Sequence, residues 1–251
     1  MRDMEDYGEK VAAKDMEFER RQEYFRRNLV KKAIETYAPQ GGSVLEIGCG
    51  LNPLFSDYQD EYQFTVVEPV NHFFKNAEHL AENYKHAVCY QGFFEDVAEK
   101  IKERSFDVII CAALLQEVED PNRFLRAVQD LCSQSTIVHL NVPNAFSLHR
   151  LLAKEMGLLD DVHQFSERNH ILQQQTVFDM ESLKRLVSSE NYQIIESGSI
   201  FLKPFTHKQM QQCMEHQILS MDVLEAMDRI CESYMKEYGS EIYLNMRKMN
   251  R

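Results

Sequence analysis

The chain is predicted to fold as an α/β protein on a doubly wound, mostly parallel seven-stranded sheet, with an N-terminal helical arm and helical insertions late in the chain. Three observations predict it. Short apolar runs alternate with stretches of helical periodicity through residues 43–145, which is the signature of a parallel sheet wrapped by helices. The fourth run, Phe106-Asp107-Val108-Ile109-Ile110-Cys111, is nearly all apolar, as a strand covered on both faces must be. Finally, Ser43–Pro53 joins the run Val44 to Ile47 to a sharp Gly48-Cys49-Gly50 break. Glycine reaches positive φ and has no Cβ, so a backbone with glycines at such a strand end can lie against a ligand.

Residues 1–40 read as the arm. Val11, Phe18, Phe25, Leu29, Ala33 and Ile34 recur at helical steps, and Pro39-Gln40-Gly41-Gly42 stops the pattern. The arm packs on the sheet edge or brings Tyr24 or Phe25 over a ligand. Residues 41–145 form the core. Val44–Ile47 is the first strand, and Pro53 is placed to open a helix after the glycine turn. Phe64–Val67 is the second strand, followed by a helix over 70–84. Ala87–Tyr90 is the third strand, with Gly92-Phe93-Phe94-Glu95 and a helix over 97–102 behind it. Phe106–Cys111 is the fourth. Asp120-Pro121 reads as an N-cap and first-turn proline, opening a helix to Leu131. Thr136–Leu140 is the fifth strand. Residues 146–178 and 203–239 are insertions expected to cover a substrate, and between them Asp179 caps a helix before a strand over 192–202. Glu241–Arg247 alternates and closes the sheet. One domain, 1–251, accounts for all of it.

Composition narrows the function. The chain has 251 residues, 44% hydrophobic and 27% charged, with a formal net charge of -12. That charge argues against a nucleic-acid partner, since phosphate contacts need clustered Lys and Arg. The cysteines at 49, 89, 111, 132, 213 and 231 show no C-x-x-C pair or metal spacing, which fits reduced thiols and a cytoplasmic setting. No metal is expected. No apolar run is long enough to span a membrane, and no membrane partner is expected.

Chemistry gathers at the strand ends. Glu46 is an acid in an apolar strand, costly unless it meets a cation. Glu68 ends the second strand, twenty residues after Gly48, where an acid accepts from ribose hydroxyls. A nicotinamide dinucleotide is disfavoured on two counts. Pro53 stands where that fingerprint needs its third glycine, and Glu46 would face a pyrophosphate. Glu46 suits a ligand with an ammonium group and no phosphate.

Val44–Gly50 resembles the first motif of the class I S-adenosylmethionine-dependent methyltransferases. Glu68 matches their ribose-binding acid, Gly92–Glu95 their adenine contact, and Asp107–Pro121 their fourth-strand motif and following loop. The resemblance covers about residues 40–145. It implies the Rossmann-like methyltransferase fold and S-adenosylmethionine as cofactor, with S-adenosylhomocysteine as product. It also implies that Glu46, Gly48, Cys49 and Gly50 hold the methionine part, Glu68 and Pro69 the ribose, and Phe93 and Phe94 the adenine. Cys111 would offer its carbonyl, with Gln116 in the loop beside it. Phe93 replaces the family's more usual acid, and Glu117 stands where relatives often have histidine.

Methyl transfer is mostly alignment of acceptor, methyl and sulfur, with a base where a hydroxyl must lose its proton. His149, just past the fifth strand, is the candidate base. Asn144, Arg150, Glu167 and Arg168 are the candidate substrate residues. The late region resembles, more loosely, bacterial enzymes that methylate small molecules and sugars, so the expected acceptor is a hydroxyl or amine of a small molecule, a sugar or glycan precursor included. The long 203–239 insert is read as either a pocket cover or a homodimer contact. A catalytically silent cofactor-binding regulatory subunit is the alternative function.

Overall fold

The computed structural model describes residues 4–12 and 17–249, with the side chains of Val11 and Ala12 outside that description. Each apolar run forms a strand: β1 (Ser43–Ile47), β2 (Gln63–Glu68), β3 (Ala87–Gln91), β4 (Val108–Ala112), β5 (Ile137–Pro143), β6 (Tyr192–Ile200) and β7 (Glu241–Lys248). They lie in the order β3-β2-β1-β4-β5-β7-β6. The first five pair in parallel, and β7 runs antiparallel between β5 and β6. The chain leaves β1 toward β3 and returns to β4 on β1's other side. The crevice where strand order reverses therefore opens at the carboxyl ends of β1 and β4.

The helices are α1 (Met4–Ala12), α2 (Glu17–Tyr37), α3 (Asn71–Ala81), α4 (Phe94–Ile101), α5 (Pro121–Asp130), α6 (Leu148–Glu155), α7 (Glu167–Ile171), α8 (Met180–Ser189), α9 (His207–Glu215) and α10 (Met221–Ser233). Strand alternation sends Leu45, Ile47, Ile109 and Cys111 to one face, where α4, α5 and α8 cover them with Val97, Phe124 and Leu183. Val44, Val66, Val108 and Ile110 point to the other, under Val30 and Ile34 of α2. Burial on both faces is why β4 reads as an unbroken apolar run. A third cluster joins Phe18 and Phe25 of α2 to Phe201, Met210 of α9 and Leu224 of α10. The apolar faces of the 203–239 segment thus meet the N-terminal arm of the same chain.

Local signals explain most boundaries. Asp120 accepts from Arg123 N at 3.0 Å with Pro121 beside it, and Asp179 accepts from Ser182 N at 2.6 Å. Pro53 departs from its expected role, since only a 3-10 turn over Leu54–Asp57 follows it. Helix α4 begins at Phe94 rather than Val97, because Phe94 is a buried core residue whose ring packs at a tilt against Phe124, 5.4 Å between centroids. β5 runs on to Pro143, because β7 pairs with it from Val138 to Pro143.

Candidate functional site

A cavity of about 620 Å³ runs along the carboxyl edge of the sheet. Its walls follow the strand order: Glu68 after β2, Gly48–Asn52 after β1, Ala112–Leu114 after β4, Pro143 and Asn144 at the end of β5, Glu241 at the start of β7, and Lys203 after β6. From β2 to β6 is five strand spacings, about 24 Å. Met4 and Tyr7 of α1, with Glu19, Gln22, Glu23 and Arg26 of α2, close it from the arm.

The β1–β2 end is built from backbone. Gly48 and Gly50 hold φ of 77° and 59°, a left-handed conformation that side chains resist. A Cβ added at Gly50 would meet nothing within 4 Å, so this cradle is open space. Glu68 is 3% exposed. Its Oε2 accepts from Gly50 N at 3.0 Å and from the Cys49 thiol, and its Oε1 accepts from Val70 N at 2.9 Å. Burial raises its pKa, and those N–H groups oppose the rise. A carboxylate offers about four lone pairs, so Oε1 retains capacity for a ligand hydroxyl. Leu51, Val70 and Phe73 add an apolar wall.

The β5–β7–β6 end is built from side chains. Glu241, 1% exposed, accepts from Gln22 Nε2 at 2.9 Å, Arg26 Nη2 at 2.7 Å, Arg26 Nε at 2.8 Å and Asn141 Nδ2 at 2.5 Å. Burial opposes its ionisation, but Arg26 holds the carboxyl below its ordinary pKa. Glu19 accepts two bonds from the Arg168 guanidinium, at 2.6 and 2.8 Å. Lys203, 1% exposed, reaches His207 Nδ1 at 3.1 Å and Gln22 Oε1 at 3.4 Å. Burial, helped by Arg168, pushes its ammonium down to about 7. His149 lines the same end, with Nδ1 buried and without a hydrogen-bond partner among the described residues. Burial and then Lys203, Arg150 and Arg168 hold its pKa well below the usual histidine range, so the ring is neutral.

The structure brings most of the sequence-predicted residues to this cavity and sends others elsewhere. Gly48, Cys49, Gly50, Glu68, Pro69, Gln116, Asn144, His149, Arg150 and Arg168 line it. Glu46 lies behind the turn. Its Oε2 accepts from Leu54 N at 2.9 Å, and burial pushes its pKa up to about 8 against the pull of that N–H and of the Arg27 charge, so the group it bonds is a backbone N–H. Phe94 is core and does not flank the cavity. Phe93 is 44% exposed at the head of α4, also outside the lining. Cys111 is fully buried in the core, and Ala112 and Ala113 take its place at the wall. Glu167 is exposed on α7. Asn144 spends its amide on the carbonyls of Glu237 and Gly239 and on Phe146 N. Arg150 spends its guanidinium on the carbonyls of Val162 and Gln164. Both shape the wall. Tyr24 is exposed, and Phe25 stacks on Phe201 at 4.7 Å, so neither closes over the site. Arg26, Lys203, His207 and Glu241 were not legible as site residues, because their meeting depends on β7 entering between β5 and β6.

A family model described as a methyltransferase domain matches residues 18–197, most of the chain. The chain belongs to the class I S-adenosylmethionine-dependent methyltransferase family. Thiol S-methyltransferase TMT1B of Mus musculus is 33% identical over 91 residues, which is 35% of this chain and 36% of that protein. The Rattus norvegicus protein of the same name matches to the same extent. The shared stretch therefore spans about a third of those relatives. Among solved structures, the fold is similar to a putative methyltransferase of Haloferax volcanii in complex with the Trm112 methyltransferase activator (TM-score 0.64, 11% identity, 96% of this chain and 97% of that one). It is also similar to a methyltransferase of Archaeoglobus fulgidus (TM-score 0.56, 15% identity, 90% and 97%). N-methyltransferase NodS of Bradyrhizobium japonicum, in complex with S-adenosylhomocysteine, is a third (TM-score 0.55, 12% identity, 94% and 90%).

The methyltransferase's residues fit its cofactor. The open glycine cradle admits a ligand against the backbone, and Glu68 has a free acceptor site at the β2 end for ribose. Val70 and Phe73 supply an apolar wall of the kind adenine needs. Gln116 Oε1 is buried with no protein partner, next to Ala113, whose carbonyl takes the Gln116 amide at 2.6 Å.

Proposed function

We propose that this methyltransferase acts on a small polar molecule seated at the β5–β7–β6 end of the cavity. One observation carries the reading: a single cavity joins the cofactor cradle at β1 and β2 to a deep pocket walled by Lys203, His149, Arg168 and Glu241. Polar groups shut away from water ask for polar partners. The bound cofactor supplies an activated methyl group, and the chain's task is to align the acceptor and exclude water. Helix α1 supports the second role, since Met4 and Tyr7 stand over the cavity.

The acceptor atom is a hydroxyl or amine, and a thiol joins them on the strength of the partial relative's name. His149 is the residue we assign to receive the acceptor's proton, because its ring is neutral at physiological pH and keeps a lone pair. The test is calorimetry with S-adenosylmethionine, S-adenosylhomocysteine and NAD, followed by acceptor screening with labelled methyl groups. Saturable binding of the first two with turnover supports the proposal. Binding with no turnover on any class of acceptor moves the reading to a silent regulatory subunit. The His149→Ala variant should lower kcat and leave S-adenosylhomocysteine affinity unchanged; wild-type kcat would remove His149 from the proton's path.

A further inference from the structure

The geometry points to an oxyanion subsite at the deep end of the cavity, centred on Lys203 and walled by His207, His149 and Arg168, which selects acceptors bearing a carboxylate or phosphate. This rests on the methyl-transfer reading for the word acceptor, and on the side chains alone for the site.

The carboxylates near Lys203 are committed elsewhere. Glu241 already takes four hydrogen bonds from Arg26, Gln22 and Asn141. Both oxygens of Glu19 take the Arg168 guanidinium. The buried ammonium of Lys203 is left with the ring of His207 and a long contact to Gln22. It has three donors to place, and among the described residues none meets a carboxylate oxygen at hydrogen-bond distance. Nor does Arg150 meet one, because its guanidinium goes to two backbone carbonyls. The charges that act on His149 are those of Lys203, Arg150 and Arg168, all positive. Glu19 and Glu241 act on Lys203 through space but neither hydrogen-bonds it, and a buried ammonium bonded to no carboxylate is costly; an incoming anion would supply that direct partner, deep enough to escape screening. The sign is local. The chain as a whole carries -12 and the cavity is also lined by Glu19, Glu23, Glu68, Glu117 and Glu241, so the positive sign belongs to the stretch of wall where Lys203, Arg150 and Arg168 act on His149.

The site can be probed without knowing the acceptor. The full-length protein is first saturated with S-adenosylhomocysteine, whose binding is measured separately. It is then titrated with inorganic phosphate, with benzoate and with benzamide, the uncharged match to benzoate. Saturable binding of phosphate or benzoate is expected, with benzamide at least tenfold weaker. Phosphate ahead of benzoate assigns a phosphorylated acceptor, and the reverse order a carboxylic acid. Lys203→Met should weaken the bound anion at least tenfold and leave S-adenosylhomocysteine affinity intact, which also reports that the variant folds. Should that variant not fold, selenate soaked into wild-type crystals should give an anomalous peak within hydrogen-bond reach of Lys203 Nζ. Benzamide binding as tightly as benzoate, an anion indifferent to Lys203→Met, or a selenate peak elsewhere would each overturn the subsite. Failure of S-adenosylhomocysteine to bind while the anion still does would instead sink the methyl-transfer reading and leave the subsite standing.

Discussion

The two ends of the cavity are built from different materials. At β1 and β2, two glycines at positive φ leave open space against the backbone, and one carboxylate at the end of the next strand takes the N–H groups of Gly50 and Val70. At β5, β7 and β6, the wall is side chains drawn from α2, α6, α7, the loop after β6 and the first residue of β7. The first kind of site is set by local chain geometry and tolerates change in its surroundings. The second exists only when distant elements dock correctly. Its acids and cations are also held in one buried network, so removing a member leaves the others uncompensated.

That contrast predicts unequal consequences. Glu241→Ala should be the most damaging single change. It would leave Arg26, Gln22 and Asn141 without the acceptor they share. Breaking a buried pair costs about 3–5 kcal/mol, and partial exposure of Arg26 puts this one toward the lower end. The check is denaturant unfolding alongside S-adenosylhomocysteine calorimetry, expecting lost stability but unchanged affinity in the folded fraction. A stability within about 0.5 kcal/mol of wild type would mean the network is relaxed by water and the contrast is false. Glu68→Ala acts at the other end and should cost cofactor affinity as well as stability, because Gly50 N–H and Val70 N–H lose their acceptor. Loss of a charge-assisted acceptor, roughly 2.7 kcal/mol, weakens S-adenosylhomocysteine about 100-fold. Affinity within threefold of wild type would remove Glu68 from the cofactor site.

The same contrast explains what the sequence could say. All seven strands and the Asp120 and Asp179 caps were legible, because periodicity and capping are local. The cradle was legible because Gly48, Gly50 and Glu68 sit at two successive strand ends. The β5–β7–β6 end was legible only in part. His149 and Arg150 follow β5 closely enough to be suspected and Arg168 stands in a dense polar cluster, whereas Lys203 and Glu241 lie in segments that read as an insert and a closing strand. Phe93 and Phe94 show the limit of carrying a motif by position. Helix α4 starts at Phe94 and turns that ring into the core, leaving its neighbour in solvent. Phe93→Ala should therefore change stability by no more than about 0.5 kcal/mol, as for most surface positions. Its S-adenosylhomocysteine affinity should also stay at wild type. A tenfold loss of affinity would return Phe93 to the adenine site.

Glu46 gives the finest division between the two kinds of site, because it belongs to the cradle's sequence and not to its surface. Its carboxyl is buried beneath the turn, takes Leu54 N–H, and is pushed by burial from 4.5 up to about 8, against the pull of Leu54 N–H and Arg27. Between those values the folded protein holds a proton that the unfolded chain has released. The stabilisation from Glu46 is therefore complete below about pH 4.5 and lost as pH rises through about 8. Glutamine keeps the shape and the acceptor for Leu54 N but does not titrate. The Glu46→Gln variant should match wild type in Tm near pH 5 and exceed it increasingly toward pH 8.5. Its S-adenosylhomocysteine affinity should fall by less than about twofold, under 0.5 kcal/mol. Parallel Tm curves with a tenfold loss of affinity would show instead that Glu46 is ionised and reaches the cofactor's ammonium group, and the cradle would then owe its specificity to a side chain after all.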